Sequence, residues 1–279
     1  MRHPERAMEG GSCRAALTRV RERDPRETQA ASPPGELAIT WLGHATVLLE
    51  MDGTRLLTDP LLRRRPGLLS RVAPPTPLRA PVDGVLLSDL HRVHTDLPTL
   101  RGLPRTGPLI VPFHARDWLL ARGIDDVREL APSQSLTLGR IDITAVKGRH
   151  DPRRHPFGPS AQPLGFLLAN SLSVYFAGDT AALPEMADLR GRVDVALLPI
   201  AQGPGRRGRR FLDPEEAAAA AALINPSVVI PVQWSDRAES GFSRRRMTDR
   251  AAHHFAAQTQ RYAPGVDVRL LRPHERVVL

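Results

Sequence analysis

The chain holds one cysteine, Cys13, and one lysine, Lys147. A lone cysteine excludes an internal disulfide and makes a reducing cytoplasm the simplest expected compartment. No apolar stretch approaches the ~20 residues that a membrane-crossing helix needs, so no span is expected. Met1 to Arg23 is charged and lacks an apolar centre, which does not fit a secretory signal. No short-period repeat is present. With a single lysine, nearly all of the positive charge behind the net +9 is arginine. Such a charge can serve a polyanionic partner. Here the basic residues are spread along the chain, with local clusters at Arg63–Arg65, Arg206–Arg210 and Arg244–Arg246. We read these as solvated loops and expect no nucleic-acid partner. A phosphate- or carboxylate-bearing substrate stays open, because the guanidinium fork matches those groups.

What is there is ordinary for a globular protein. The 279 residues are 41% hydrophobic and 25% charged, enough for one large domain or two small ones. Residues 1–36 read as a poorly ordered tail closing on Ser32-Pro33-Pro34-Gly35, and 37–279 as the folded domain. Strands are expected at Leu37–Leu42, Ala45–Met51 and Thr54–Thr58, with Asp52-Gly53 as the tight turn between the last two. Arg63–Pro81 is a proline-rich excursion. Further strands are expected at Val85–Ser88, Leu109–Val111, Ser135–Leu138, Ile141–Lys147, Gly165–Leu168, Ser173–Ala177, Val193–Pro199 and Val228–Val232, and a final one near Val266–Leu270. Helices are expected at His114–Arg122, Asp213–Leu223 and about Arg244–Gln258. Asp213-Pro214-Glu215-Glu216 is a strong helix opening: a capping acid, a proline at the first helical position, and acids facing the positive end. The mixture implies an α/β fold with two sheets between helices.

The informative feature is where polar, ligand-type residues fall. His44, Asp59, Asp89 to His94, His150, Asp179 and Gln233 each follow an apolar strand. Side chains at strand ends converge in one crevice at the sheet edge. One histidine in such a place is most often structural; several from separate segments point to a site.

Four segments then resemble a known family. Trp41-Leu42-Gly43-His44-Ala45-Thr46, Leu57-Thr58-Asp59-Pro60, Phe176-Ala177-Gly178-Asp179-Thr180 and Leu212-Asp213-Pro214-Glu215 resemble the metallo-β-lactamase fold. The likeness is to the branch of ascorbate-6-phosphate lactonase and N-acyl-phosphatidylethanolamine-hydrolysing phospholipase D, from about Leu37 to Leu271. It implies a four-layered αβ/βα sandwich and a centre of one or two zinc, iron or manganese ions. The family signature Ser-His-x-His-x-Asp-His aligns with Ser88-Asp89-Leu90-His91-Arg92-Val93-His94. His91 and His94 match, whereas Asp89 replaces a histidine and Val93 an aspartate. His150 matches the next ligand and Asp179 the bridging carboxylate. Gln233, before Trp234, replaces the last histidine, and Phe211 stands where the family has a histidine near the substrate.

The resemblance therefore implies an altered centre. Asp89, His91 and His150 remain competent as one metal position, for zinc or, as two histidines and a carboxylate, for non-haem iron(II). At the other position Val93 has no lone pair and Gln233 is a poor ligand, leaving His94 and Asp179. Val93 also cannot orient or deprotonate an attacking water. We assign His94, Asp179 and His44 as candidate catalytic residues and Asp59 to a supporting carboxylate. Arg92, His155, Phe211, Gln233 and Trp234 are candidates for a small-molecule pocket. The leading expectation is a hydrolase with one divalent metal, acting on an ester, lactone or phosphodiester. The alternatives are a metal-free or iron-dependent descendant doing non-hydrolytic chemistry, and an inactive binding module. No motif encodes the oligomeric state.

Overall fold

The computed structural model describes residues 35–63, 78, 80–200, 212–234 and 243–279, the side chains of 243–249 excepted. The tail before Gly35, most of the proline-rich excursion, the Arg206–Arg210 cluster, the side chains of the Arg244–Arg246 cluster and Phe211 lie outside the described residues.

Two seven-stranded sheets carry the fold. The first holds β1 (Leu37–Gly43), β2 (Thr46–Met51), β3 (Thr54–Thr58), β4 (Gly84–Leu86), β5 (Leu109–Pro112), β6 (Val127–Leu130) and β14 (Arg276–Val278), in the order β14-β1-β2-β3-β4-β5-β6. The second holds β7 (Ser135–Leu138), β8 (Ile141–Lys147), β9 (Leu164–Ala169), β10 (Ser173–Phe176), β11 (Val195–Pro199), β12 (Val228–Val232) and β13 (Asp267–Val268), in the order β13-β12-β11-β10-β9-β8-β7. Each sheet changes character along its width. Hairpins join β1 to β3 and β7 to β10 in antiparallel pairing, while β3 to β6 and β10 to β13 run parallel.

The sequence explains this change. Asp52 and Gly53 both take positive φ, 49° and 82°, as a two-residue hairpin turn requires. The parallel strands Val195–Pro199 and Leu109–Pro112 are buried at every residue, whereas β8 alternates buried and exposed positions. Three apolar clusters separate the layers. Trp41, Leu49, Ile110, Phe166, Phe176 and Leu197 belong to the cluster between the sheets. Leu87, Leu100, Leu119 and Val127 pack outside the first sheet with α1 (Leu97–Gly102) and α2 (Arg116–Leu120). Tyr175, Leu198, Ala217, Ala221 and Phe255 pack outside the second with α3 (Pro214–Ile224) and α4 (Ser243–Tyr262). Helix, sheet, sheet, helix is the expected four-layered sandwich.

Helix α3 starts as its sequence dictates. The Asp213 carboxylate accepts from the Glu215 and Glu216 backbone N–H groups at 2.9 Å, and Glu216 accepts from the Asp213 N–H at 3.1 Å. Its alanines let α4 approach closely. The strand expected near Val266–Leu270 shrinks to Asp267–Val268, and the chain's last strand is instead β14, which closes the first sheet against β1. Strand β6, helix α1 and a 3₁₀ turn at Pro184–Leu189 are additions to the expected elements.

Candidate metal centre

Strands β3 and β4 run parallel, as do β10 and β12 across β11, so their C-terminal ends open on shared edges, where binding crevices of α/β sheets form. Asp59 follows β3, Ser88 and Asp89 follow β4, Asp179 follows β10 and Gln233 follows β12. His150 follows β8, and His44 occupies the β1–β2 turn. His44, Asp59 and Gln233 adopt positive φ, 52°, 36° and 64°. Such backbone strain in non-glycine residues persists where surrounding structure imposes it, and it clusters at sites.

Asp59 is fully buried. Its carboxylate accepts from the Ser88 backbone N–H at 2.7 Å and the Ser88 hydroxyl at 2.6 Å, and it pairs with His94 Nδ1 at 2.7 Å. Burial pushes its pKa up, against the pull of His94. Its own carbonyl takes the Thr46 hydroxyl, so Asp59 ties down its turn and supports a histidine at once. The supported histidine is His94.

The segment from Ser88 to Asp96 coils on itself. Asp89 Oδ1 accepts from the His91 N–H at 2.7 Å, the Thr95 N–H reaches the His91 carbonyl at 2.8 Å, and the Thr95 hydroxyl reaches the Asp89 carbonyl at 2.6 Å. Asp89 Oδ2 then lies 3.1 Å from His91 Nδ1. Burial opposes the Asp89 charge, yet His94 and His91 outweigh it and hold the carboxyl below the usual carboxylate range. Burial also opposes charge on His91, and Asp89 more than offsets it, leaving the imidazole above its ordinary pKa.

Gly178 brings the opposite sheet against this segment. It has φ 62°, and a Cβ there would fall 2.4 Å from Ser88 Cβ and 2.8 Å from the Leu164 carbonyl. Only glycine fits, and the close approach places Asp179 beside His94: Asp179 Oδ2 is 2.9 Å from His94 Nε2 and 3.7 Å from His150 Nε2. The Gln233 side-chain amide donates to Asp179 Oδ1 at 2.7 Å. His94 is thus wholly buried between two carboxylates. Burial alone would strip its proton; Asp179, Asp89 and Asp59 reverse that and hold its pKa well above the ordinary value. Burial likewise opposes charge on Asp179, and His94, His150 and His44 hold it well below the usual carboxylate range. His44 meets His94 edge-on, ring centroids 5.1 Å apart, and its carbonyl receives the Trp41 indole N–H and the Gln233 N–H.

Two sets of donor atoms therefore gather, each within 4.8 Å: Asp89, His91 and His150, and Asp89, His94 and Asp179. Asp89 Oδ2, His91 Nδ1 and His94 Nε2 are buried and have no hydrogen bond among the described residues; their short contacts to one another or to Asp179 are misaligned for one. Converging, unsatisfied nitrogen and oxygen donors suit a divalent cation. A cavity of about 620 Å³ adjoins the first set, lined by His91 and by Asp151 to Pro156.

The remaining sequence candidates separate. His155 is exposed on the cavity wall and Arg92 is exposed beside His91. Trp234 stacks on Trp41 at 5.2 Å and donates to the Pro231 carbonyl, packing against the core rather than the cavity. Ser88, Gly178 and Arg154 are missed by sequence reasoning. The Gly-Asp pair after a strand is a signal for Gly178, and Ser88 opens the signature segment; nothing local marks Arg154.

A family model described as beta-lactamase superfamily domain matches residues 38–233. A UPF0173 metal-dependent hydrolase of Opitutus terrae is 31% identical over 252 residues, covering 86% of this chain and 99% of the relative. Among solved structures, Igni18, a metallo hydrolase from Ignicoccus hospitalis, aligns with a TM-score of 0.68 at 22% identity, covering 88% of this chain and 98% of that one. CmlA, a diiron beta-hydroxylase from Streptomyces venezuelae, aligns with a TM-score of 0.64 at 18% identity, covering 89% of this chain and 54% of that one. At such identities the two structures speak for the fold alone.

Proposed function

From the premise that the chain belongs to the beta-lactamase superfamily, we propose that it is a hydrolase working with one divalent metal ion, held by Asp89, His91 and His150. The observation that carries this reading is the contrast between the two donor sets. Asp89 Oδ2 and His91 Nδ1 are unsatisfied and His91 borders the cavity. In the other set His94 Nε2 is unsatisfied as well, but Asp179 gives one oxygen to the Gln233 amide, and His94 and Asp179 are buried and do not line that cavity. A catalytic ion needs an open position as well as ligands.

An ion bound there supplies Lewis-acid polarisation of a carbonyl or phosphoryl oxygen. The chain's residues supply the rest. Asp179, held ionised, orients a water by accepting its hydrogen bond and does not keep the proton. His94 is fixed by Asp59 on one ring nitrogen and faces Asp179 with the other, so its orientation is set before substrate arrives. His44, edge-on to His94, is our candidate for carrying a proton toward the leaving group. Arg153 puts a guanidinium on the cavity wall, alongside Asp151 and the His155 ring, and that fork suits a small anionic ester, lactone or phosphodiester.

The test is elemental analysis of purified protein after desalting, followed by titration with zinc, iron(II) and manganese. About one tightly held equivalent is expected, lost in His91→Ala and His150→Ala, together with hydrolysis in a panel of those three bond classes. No binding of any of the three ions overturns the reading. Two equivalents of equal affinity overturn the single-ion form of it.

A further inference from the structure

Resting on that reading, we propose that Arg154 is a positioning residue for the metal centre, fastening the segment that carries Asp89 and His91 to the excursion that carries His150. Arg154 belongs to neither donor set. Its Nη1 donates to the Leu90 carbonyl and, at 3.1 Å, to the Thr95 carbonyl. Those two carbonyls flank the coiled segment: one follows Asp89, the other follows His94. Neither receives another hydrogen bond among the described residues. The guanidinium carbon also lies 4.8 Å from the Trp118 ring centroid on α2. One nitrogen serves both carbonyls while the planar guanidinium lies over an indole, and that second contact is one a lysine ammonium does not reproduce.

The platform for this grip is the excursion from Gly148 to Pro163. It is closed by Gly148 N–H to the Pro163 carbonyl, Ala161 N–H to the Pro152 carbonyl and Arg154 N–H to the Pro159 carbonyl, each 2.9 Å. The Gln162 amide adds a bond to the Gly148 carbonyl at 3.0 Å. The same excursion is tied to the Asp179 turn, where the Arg149 N–H reaches the Thr180 hydroxyl and the Ala181 N–H reaches the Arg149 carbonyl, both 3.0 Å. One piece of chain is thus bonded to both of the segments that bring the other acidic ligand candidates. Removing the Arg154 side chain leaves every donor atom in place and frees the segments to drift apart. The cost therefore falls on how well the donors are preorganised.

The experiment compares Arg154→Met, Arg154→Lys and a control, Ser173→Ala, which removes a 2.7 Å bond to Asp194 at the opposite end of β10. Zinc affinity is read by competition with a chromogenic chelator, ligand geometry by the visible spectrum of the cobalt(II)-loaded protein, and folding by thermal unfolding of the metal-free protein. Arg154→Met is expected to weaken zinc by about 10- to 100-fold, the range seen for partners that orient ligands, and to shift the cobalt bands. Arg154→Lys recovers part of the affinity. Ser173→Ala lowers the unfolding temperature and leaves zinc and the cobalt spectrum unchanged. Wild-type affinity and spectrum in Arg154→Met overturn the proposal, whatever happens to the unfolding temperature. Should Arg154→Met not fold, Arg154→Lys decides: intermediate affinity supports the proposal and wild-type affinity overturns it. If the wild-type protein itself binds neither zinc nor cobalt, the metal reading falls and this proposal falls with it.

Discussion

Two regions of one cleft share Asp89 and differ in what already satisfies their donors. On the side of His91 and His150, donor atoms converge beside a cavity and two of them lack hydrogen bonds. On the side of His94 and Asp179, Gln233 gives its amide to one Asp179 oxygen and His94 is clasped by Asp59. Residue type is nearly the same on both sides. Each side keeps two unsatisfied atoms, Asp89 Oδ2 with His91 Nδ1 or with His94 Nε2. What separates them is that the second is buried off the cavity and has the Gln233 amide on one of its carboxylate oxygens. A carboxylate or imidazole is available to an ion only to the extent that its lone pairs are not already in use.

The comparison is tested most severely by two alanines. His94→Ala removes the imidazole from between the buried Asp59 and Asp179, and breaking such a pair costs about 3–5 kcal/mol. Chemical denaturation should show that loss, with most of the bound metal retained. His91→Ala should do the reverse: metal affinity falls by more than about 100-fold, beyond what outer partners produce, while stability changes little because His91 is only partly buried. If His94→Ala released the ion and His91→Ala kept it, the two sides would have to be exchanged.

A gain of function follows at the next level. Val93→Asp with Gln233→His replaces the residue that offers no lone pair and the amide that occupies Asp179. The double variant should hold about two equivalents of zinc where the parent holds about one, measured by elemental analysis and calorimetric titration. A double variant that folds, judged by circular dichroism, and still takes one equivalent would show that Val93 and Gln233 are not what closes the second side.

These predictions draw unequally on the sequence. The sandwich was legible because its signals are local: period-two alternation, the Asp52-Gly53 turn, the Asp213 helix opening, and apolar runs where strands are buried on both faces. β14 was not legible. Arg276–Val278 is three residues long and finds its partner β1 at the other end of the chain. β6, reading Val-Arg-Glu-Leu, has an edge strand's mixed pattern. At the centre, residue types after strand ends and the family resemblance gave the donor candidates, and the structure brings all of Asp89, His91, His94, His150 and Asp179 together. The Gln233 amide on Asp179 and the Arg154 grip on two carbonyls were hidden, because each depends on side-chain direction across segments 54 and more than 58 residues apart.

A milder effect is expected from pH. An imidazole must shed its proton to bind a metal, and metal binding displaces it. Asp89 raises the His91 pKa above its ordinary 6.5, so protons compete with the ion at higher pH than they would at an unperturbed imidazole. Below that raised value zinc affinity should drop by about tenfold per pH unit for the one proton displaced, and above it should level off. Chelator competition across the acid and neutral range measures the slope. Affinity that is flat or rises toward acid would place the ion away from His91.

The smallest effect belongs to a second arginine on the same segment. Arg63 grips Asp96 with two bonds, Nε to Oδ2 at 2.6 Å and Nη2 to Oδ1 at 3.0 Å, just past the point where Arg154 holds Thr95. The geometry is that of a strong pair. But the Arg63 side chain is 46% exposed, so solvent and salt screen it. Asp96 also keeps other work when Arg63 is removed, capping α1 through the Thr99 N–H at 3.2 Å and accepting the Thr99 hydroxyl at 2.7 Å. Arg63→Ala should therefore cost less than about 1 kcal/mol in denaturant unfolding and leave zinc affinity where it was. Arg154 reaches the same stretch of chain, yet at buried carbonyls beside the donors. A zinc affinity that falls as far in Arg63→Ala as in Arg154→Met would mean that any anchor on this segment tightens the centre, and that the position of the Arg154 contacts carries no special weight.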